Sequence, residues 1–415
     1  MNFQLPPDAI LRDVLAPRSL IADAGAFGGA RKGEFLRGDL VFRGGRAVGM
    51  IAGPPMGEAP RIILPRLTEC HVHLDKCHTA HRLNAIGGDL AAAIALQAED
   101  RRNWVADDIR ARAERGLNEL IEAGCGAVRT HVDWVGDPTP ADAPVAWHVL
   151  TELAQDYRDR VILQIAPLTG VEDMVDPGAA DALARLAAAG TGVLGVYLFD
   201  QPDRAAAVAN AFRLADKYEL ALDFHVDEGL VDGLDGLRLI AEAAIAASFQ
   251  GPVICGHACS LANLTGDPLK TQIELLSRSG VAVATLPATN LYLQGRVAGT
   301  PDRRGLTRVR ELRAAGVPVI VGTDNVRDAF CPLGQHDPMH SLSLAALAAH
   351  LDPPFSDHLP MIGPAAAAAM GLAPTFIDGA RVEDLLLADT VNMADLISGA
   401  VPRAPLADTM REAVA

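Results

Sequence analysis

From residue 65 to about residue 370 the sequence alternates short apolar segments with amphipathic helical ones, and this repeated switch of hydrophobic period constrains the fold more than any other feature. Eight strand candidates can be counted: Pro65–His73, Ala127–Asp133, Val161–Pro167, Val193–Asp200, Leu220–Glu228, Pro252–His257, Val281–Asn290 and Pro318–Asp324. Eight βα units predict an α/β fold of the (β/α)8, TIM-barrel type. An open, doubly wound sheet would want a Gly-x-Gly-x-x-Gly turn after its first strand, and none stands there. The helical segments are read from their spacing. Ile109, Ala113, Gly116, Leu117, Leu120 and Ile121 share one face, which leaves Arg110, Arg112, Glu114 and Arg115 pointing away, and Asp107 and Asp108 favour the helix amino terminus.

The two chain ends read differently. Asp39–Phe42 and Ala47–Ile51 flank a Gly44-Gly45 turn, which is a hairpin signal. Val382–Asp389 and Leu396–Val401 read as further strands, so the ends are expected to pair into one small β-domain. The predicted organisation is residues 1–64 and 370–415 for that domain, with the barrel over residues 65–369.

The predicted strands end on polar residues: His71-Val72-His73, His131-Val132-Asp133, Phe199-Asp200, His225-Val226-Asp227-Glu228, Gly256-His257, Thr289-Asn290 and Thr323-Asp324-Asn325. Barrel packing alone favours branched apolar side chains at such positions. In a (β/α)8 barrel these tips converge on the one face where active sites are built. His71 and His73, two residues apart on a strand, point the same way. Alone they could be two hydrogen-bonded histidines of a barrel interior. With His225 and Asp324 they make a shell of three imidazoles and one carboxylate, which suits a single divalent ion, Zn2+ or Fe2+, with a position left for water. A metal-activated water has its pKa lowered to about 7. Glu228, three residues past His225, is placed to shuttle a proton; His257 and Asp324 are placed to assist and orient the water.

A formal charge of -16 disfavours nucleic acid and anionic lipid as partners. A small-molecule partner is expected. The six cysteines form no Cys-x-x-Cys pair or secreted framework, the amino-terminal residues Met1–Asp8 show no basic leader or apolar h-region, and there is no run of about 20 apolar residues, so a cytoplasmic protein is expected.

His71-Val72-His73-Leu74-Asp75, Val128-Arg129-Thr130-His131-Val132-Asp133, Leu163-Gln164-Ile165, His225-Val226-Asp227-Glu228, Leu293-Gln294-Gly295-Arg296, the run Arg303–Val309 and Pro332-Leu333-Gly334 together carry a resemblance over about residues 65 to 345. In sequence and order they resemble the bacterial cytosine deaminase branch of the amidohydrolase superfamily. The resemblance implies a small β-sandwich beside the barrel and a mononuclear iron or zinc site with His71, His73, His225 and Asp324 as ligands. It further implies Glu228 as proton carrier to a ring nitrogen, His257 assisting the water, and a homo-oligomer. The implied reaction is hydrolytic deamination of a small nitrogen heterocycle.

Two departures bear on the substrate. The cytosine enzymes resemble one another in a glutamine after the third strand, where this chain has Ile165-Ala166-Pro167-Leu168-Thr169-Gly170, and in a second aspartate where it has Asn325. Lys76 is similar instead to the branch that removes alkylamines from triazine rings. Asn325, Gln294, His131 and Phe330 are the candidate substrate-binding residues, His131 either lining the pocket or bracing a ligand histidine. His78 and His81 read as loop histidines, and Arg303 and Arg304 as a solvated helix start. The alternatives to deamination are cyclic-amide opening, removal of an N-alkylamine from an s-triazine, and a barrel that binds without turnover.

Overall fold

A computed structural model describes residues 8–53, 59–135 and 142–412. Residues 1–7, most of the amino-terminal stretch in which no leader is read, lie outside the described residues. Near the amino terminus come β1 (Ala9–Pro17), β2 (Ala30–Lys32), β3 (Phe35–Arg43), β4 (Arg46–Ile51) and β5 (Arg61–Pro65). The β3–β4 turn is made by Gly44 and Gly45 at φ +54° and +75°, the two left-handed positions of a tight hairpin, which is why two glycines stand there.

The barrel strands follow: β6 (Leu67–Val72), β7 (Cys125–Asp133), β8 (Ile162–Thr169), β9 (Val193–Leu198), β10 (Ala221–Val226), β11 (Val253–His257), β12 (Ala282–Thr285) and β13 (Val319–Val321). They form one parallel sheet in sequence order, each joined to the next through helices or turns. The ring closes through a short contact between Val72 and Asp324, where Asp324 N donates to His71 O at 2.8 Å. Below that contact the fully buried Glu69 fills the seam, its carboxylate accepting from the N–H groups of His71 (2.8 Å) and Thr323 (3.1 Å). Near the carboxyl terminus, β14 (Leu385–Ala388) and β15 (Arg403–Pro405) join the first strands, giving a mixed seven-stranded sheet in the order β15-β14-β5-β1-β3-β2 with β4 on β3. The small β-domain is thus built from both chain ends.

Three local readings are corrected. The seventh strand stops at Thr285, and Thr289 and Asn290 lie on a helix, Pro287–Leu293; Pro287 at the first turn fixes φ for helix entry and lacks only an N–H that a helix start leaves unused. Leu396–Val401 is no strand: Met393–Ile397 is a helical turn, capped by the Asn392 side chain accepting from Ala394 N. Arg112 does not point away from the Ala106–Glu122 helix into solvent. It sits one turn before Gly116 at the edge of the apolar face, is 6% exposed, and donates to the carbonyls of Asp75 and Cys77 beyond β6.

Among the described residues no helix is long and apolar enough to cross a membrane.

Candidate active site

The carboxyl end of β6 places His71 near the tip of the strand and His73 just beyond it; β10 contributes His225, and Asp324 follows β13. All four are buried. His73 Nε2 lies 3.1 Å from His225 Nε2 and 3.3 Å from Asp324 Oδ1, and His71 Nε2 lies 3.6 Å from the same oxygen. Burial pushes all three histidines well below their ordinary pKa, with the neighbouring imidazoles adding to the effect for His71 and His225. They are therefore neutral. Both ring nitrogens of His71, Nδ1 of His73 and His225, and both Asp324 oxygens make no hydrogen bond. Buried polar atoms ordinarily find partners, so the unpaired His71 Nε2 and Asp324 oxygens, close to Nε2 of His73, fit a bound cation. Potential donor atoms cluster as His71, His73, His131 and His225 and as His71, His257 and Asp324, nitrogen and oxygen sets whose chemistry suits Zn2+ or Fe2+.

His131 belongs to the same cluster. Its ligand atom lies within 4.8 Å of those of His71, His73 and His225, and its Nε2 is 3.1 Å from Asp223 Oδ1. Asp223, fully buried on β10, also accepts from Arg129 Nη1 at 2.8 Å; burial would raise its carboxyl, but His131 and Arg129 hold it below its ordinary value. His131 does not line the cavity described below. The Asp223 carboxylate stands at its back.

Glu228 stands one residue past Asp227, which adopts φ +51° and turns the chain inward. The Asp227 carboxylate fixes that turn by accepting from Gly236 N (3.0 Å) and Leu237 N (3.1 Å) at the start of the next helix. Glu228 is 8% exposed, and burial, then the nearby Asp324, push its carboxyl well above the ordinary value. Its Oε1 is 3.5 Å from His257 Nδ1. Burial pushes the His257 imidazole down to about 4. Asn290 Nδ2 lies 3.0 Å from His257 Nδ1, and with the amide as donor the ring proton sits on Nε2, which has no other partner. His257 and Asp324 both have left-handed φ, +68° and +60°, backbone strain of the kind that collects at functional sites.

These groups open into a cavity of about 260 Å³. Its walls include His73, His225, Glu228, His257, Asp324, Asn325 and Phe330. In a chain only 4% aromatic, four aromatic side chains, Trp134, Tyr197, Phe199 and Phe330, surround one space. Asn325 donates from Nδ2 to Asp328 Oδ2 at 2.7 Å, which leaves its carbonyl oxygen as the group free to accept. Gln294 is elsewhere: its Nε2 donates to the carbonyl oxygen of Glu228 at 3.3 Å, and it faces a neighbouring cavity. It supports the Glu228 loop from behind.

Sequence reasoning singled out Lys76 and Asp133 but missed Arg101, which completes a polar wall with them. Lys76 and Arg101 both pair with Asp133, and all three line the cavity. Burial would raise the Asp133 carboxyl, but the two cations hold it well below the usual carboxylate range. Asp133 was legible as a strand tip; Arg101, on a helix between strands, carried no signal. His78 is not an open-loop histidine but is 5% exposed, whereas His81 is exposed. Arg303 and Arg304 are exposed, ahead of a helix that begins only at Val309.

A (β/α)8 barrel whose carboxyl-end residues crowd into one polar, aromatic-walled cavity is an enzyme architecture. Residues 81–374 match the model of the amidohydrolase family, and the chain belongs to that family. It is 30% identical over 385 residues to a pterin deaminase of Rhizobium rhizogenes, covering 89% of this chain and 86% of that one. The fold is similar to that of 5-methylcytosine deaminase from Klebsiella pneumoniae liganded with 5-fluorocytosine, with TM-score 0.81, 24% identity and 95% and 94% of the two chains covered. It is also similar to N-isopropylammelide isopropylaminohydrolase from Burkholderia multivorans, with TM-score 0.70, 25% identity, and 95% and 96% covered. The expected fold and superfamily branch are borne out. The chain is a hydrolase of carbon–nitrogen bonds other than peptide bonds, so the reading as a barrel without turnover falls.

Proposed function

We propose that this enzyme removes an amino group hydrolytically from a planar amino-oxo heterocycle, with one divalent ion, Zn2+ or Fe2+, held at this centre by His71, His73, His225 and Asp324. The observation that carries the reading is the placement of Glu228 and His257, 3.5 Å apart, beside those four residues and at the wall of one cavity. The ion, when bound, supplies the positive charge that acidifies a water and polarises the carbon under attack.

The residues of the chain supply the rest. Glu228 takes a proton from the attacking water and delivers it to the ring nitrogen next to the amino-bearing carbon, a role suited to a carboxyl whose pKa burial raises. His257, neutral and carrying its proton on Nε2, donates to the oxygen as negative charge develops there. The carbon becomes tetrahedral, bearing hydroxyl and amino groups; Glu228 then moves the hydroxyl proton to the amino nitrogen, and ammonia leaves as the carbonyl forms. Trp134, Tyr197, Phe199 and Phe330 offer flat apolar surface to a ring, while Asn325 offers a carbonyl acceptor and Lys76 a cation at its edge.

The cavity has more room than a single pyrimidine ring fills, and the relative at 30% identity is a pterin deaminase, so a bicyclic 2-amino-4-oxo ring is the favoured substrate class. Removal of an alkylamine from an s-triazine is the second reading, supported by Lys76 in the cavity wall and by the likeness to the isopropylammelide enzyme. The enzyme is further proposed to work as a homo-oligomer in the cytoplasm. A panel of 2-amino-4-oxopteridines, cytosine, 5-methylcytosine, isocytosine, creatinine and N-alkylamino-s-triazines, followed by ammonia or amine release with metal-loaded enzyme, tests the substrate. The bicyclic rings are expected to exceed cytosine tenfold or more in kcat/KM; no release from any of them at full metal loading would sink the reading.

A further inference from the structure

A second group of potential metal ligands lies outside the catalytic cavity. Cys77 and His78 follow Lys76 in the loop beyond β6, and His336 comes from the loop beyond β13, just ahead of the helix Pro338–Ala349. One ligand atom from each lies within 4.8 Å of the others, and all three residues are buried. Neither ring nitrogen of His78 makes a hydrogen bond, nor does Nε2 of His336. Two histidines nine-tenths buried and left this way point to a missing partner.

The surroundings are shaped for one. Glu119, on the Ala106–Glu122 helix, accepts from His336 Nδ1 at 2.9 Å and lies 3.4 Å from His78 Nε2. A carboxylate behind an imidazole fixes its tautomer and turns the other nitrogen's lone pair outward, the usual bracing of a metal-ligating histidine. The same helix is notched at Gly116. A Cβ there would come within 2.8 Å of His336 Cε1 and 3.2 Å of Cys77 Sγ, so only glycine lets these two groups approach.

We propose that Cys77, His78 and His336 bind a second divalent ion of the zinc type, braced by Glu119 and separate from the catalytic centre. An S,N,N donor set suits zinc better than Mg2+ or Ca2+, and Glu119, which also pairs with Arg115 and Arg327, braces the two imidazoles. The Cys77 thiol donates to the carbonyl oxygens of Leu74 and Arg112 at 3.4 Å, bonds that ion binding would replace. The ion ties together two loops already joined by His78 N to Val326 O (3.0 Å) and Ala80 N to Arg327 O (2.7 Å). These loops carry Lys76 on one side and Asn325 and Phe330 on the other, so the second ion fixes one wall of the substrate cavity.

Cobalt titration of the chelated full chain separates the two centres, because the catalytic one has only nitrogen and oxygen donors. Two equivalents are expected to bind, with a thiolate-to-cobalt charge-transfer band in the near ultraviolet. Cys77→Ser should lose the band and one equivalent, and His73→Asn should keep the band while losing the other. Elemental analysis should show zinc falling from two per chain to one in either variant. A wild-type chain that binds a single equivalent, or two without a thiolate band, overturns the proposal. Either of those results is read on the wild-type chain, needs no variant to fold, and leaves the catalytic reading untouched.

Discussion

His73 Nε2 and His225 Nε2 face one another across 3.1 Å although burial keeps both rings neutral. A hydrogen bond there would need one ring to carry its proton on Nε2 and point it at the other. If instead both rings carry their protons on Nδ1, the two lone pairs meet, and that arrangement calls for a cation between them. Metal binding at this centre should therefore raise stability as well as enable turnover. In a Cys77→Ser background, added Zn2+ or Fe2+ at 1,000 times Kd is expected to stabilise the chelated protein by about 4 kcal/mol. Thermal melts with and without the ion check this; a melting temperature indifferent to metal would contradict the assignment of the ligands.

Glu228→Gln should retain fold and metal while losing most turnover. The amide is nearly isosteric and cannot carry the proton. Loss of general acid–base catalysis costs about 100- to 10,000-fold, so kcat should fall by that factor with KM little changed. Metal content and melting temperature measured beside kcat separate a lost shuttle from a lost site. Near-normal kcat at full metal loading would remove Glu228 from the role.

Asn325 and Asp328 are coupled through the 2.7 Å bond from amide to carboxylate. Asn325→Asp alone puts two buried carboxyl groups in contact and should lower kcat/KM on the best substrate at least tenfold, about 1.4 kcal/mol. Exchanging the pair, Asn325→Asp with Asp328→Asn, restores a donor opposite an acceptor and should recover part of the loss. Single and double variants assayed on one substrate give the coupling directly. Additive losses would mean that the bond does not orient Asn325 in the working enzyme.

The barrel and its centre were legible because each rests on a short-range rule. The two-residue period of a strand put His71 and His73 on one side, and the topology of a parallel barrel brought His225, His257 and Asp324 to the same end. Where a local signal competed with another, the reading failed. Asn290 read as a strand tip because an apolar run precedes it, but Pro287 had already started a helix. Gln294 follows the same helix, and nothing in its neighbours reveals that its amide turns back to the Glu228 carbonyl. Arg101 with Asp133, and His78 with His336, depend on how segments distant in the sequence fold over one another, a relation that no spacing along the chain encodes.

A pH effect follows from His358, which lies away from both centres. Burial lowers its pKa; Arg313 donates to its Nδ1 at 2.7 Å, and its Nε2 is 2.9 Å from the Asp352 carbonyl. The folded chain thus resists a proton that the unfolded chain accepts near its ordinary value of about 6.5. His358 contributes stability above that value and loses it as pH falls through the lowered folded pKa. His358→Gln, which keeps one donor and one acceptor, should be less sensitive to acid than the wild type. Urea melts at pH 7.5 and at successively lower pH, compared as differences between the two chains, should show the wild type losing more stability; parallel losses would contradict the sign.

The strongest stability effect is expected at Arg129. Its guanidinium is fully buried on β7 and donates to Gln164 Oε1 at 2.9 Å, Asp223 Oδ2 at 2.8 Å and Met370 O at 3.0 Å. It thereby ties β7 to β8, to β10 and to the chain segment after the barrel. Arg129→Met keeps much of the volume but leaves the Asp223 charge buried without its cation, a loss of about 3–5 kcal/mol. Asp223 also stands 3.1 Å from His131, so the change should disturb the imidazole cluster as well as the fold. Adding Asp223→Asn removes the stranded charge and should recover part of the stability. Metal affinity should not recover with it, because an amide braces His131 less well than a carboxylate. Melts and metal titrations of the single and double variants separate the two effects, and a double variant that regains both would show that Asp223 serves only as the partner of Arg129.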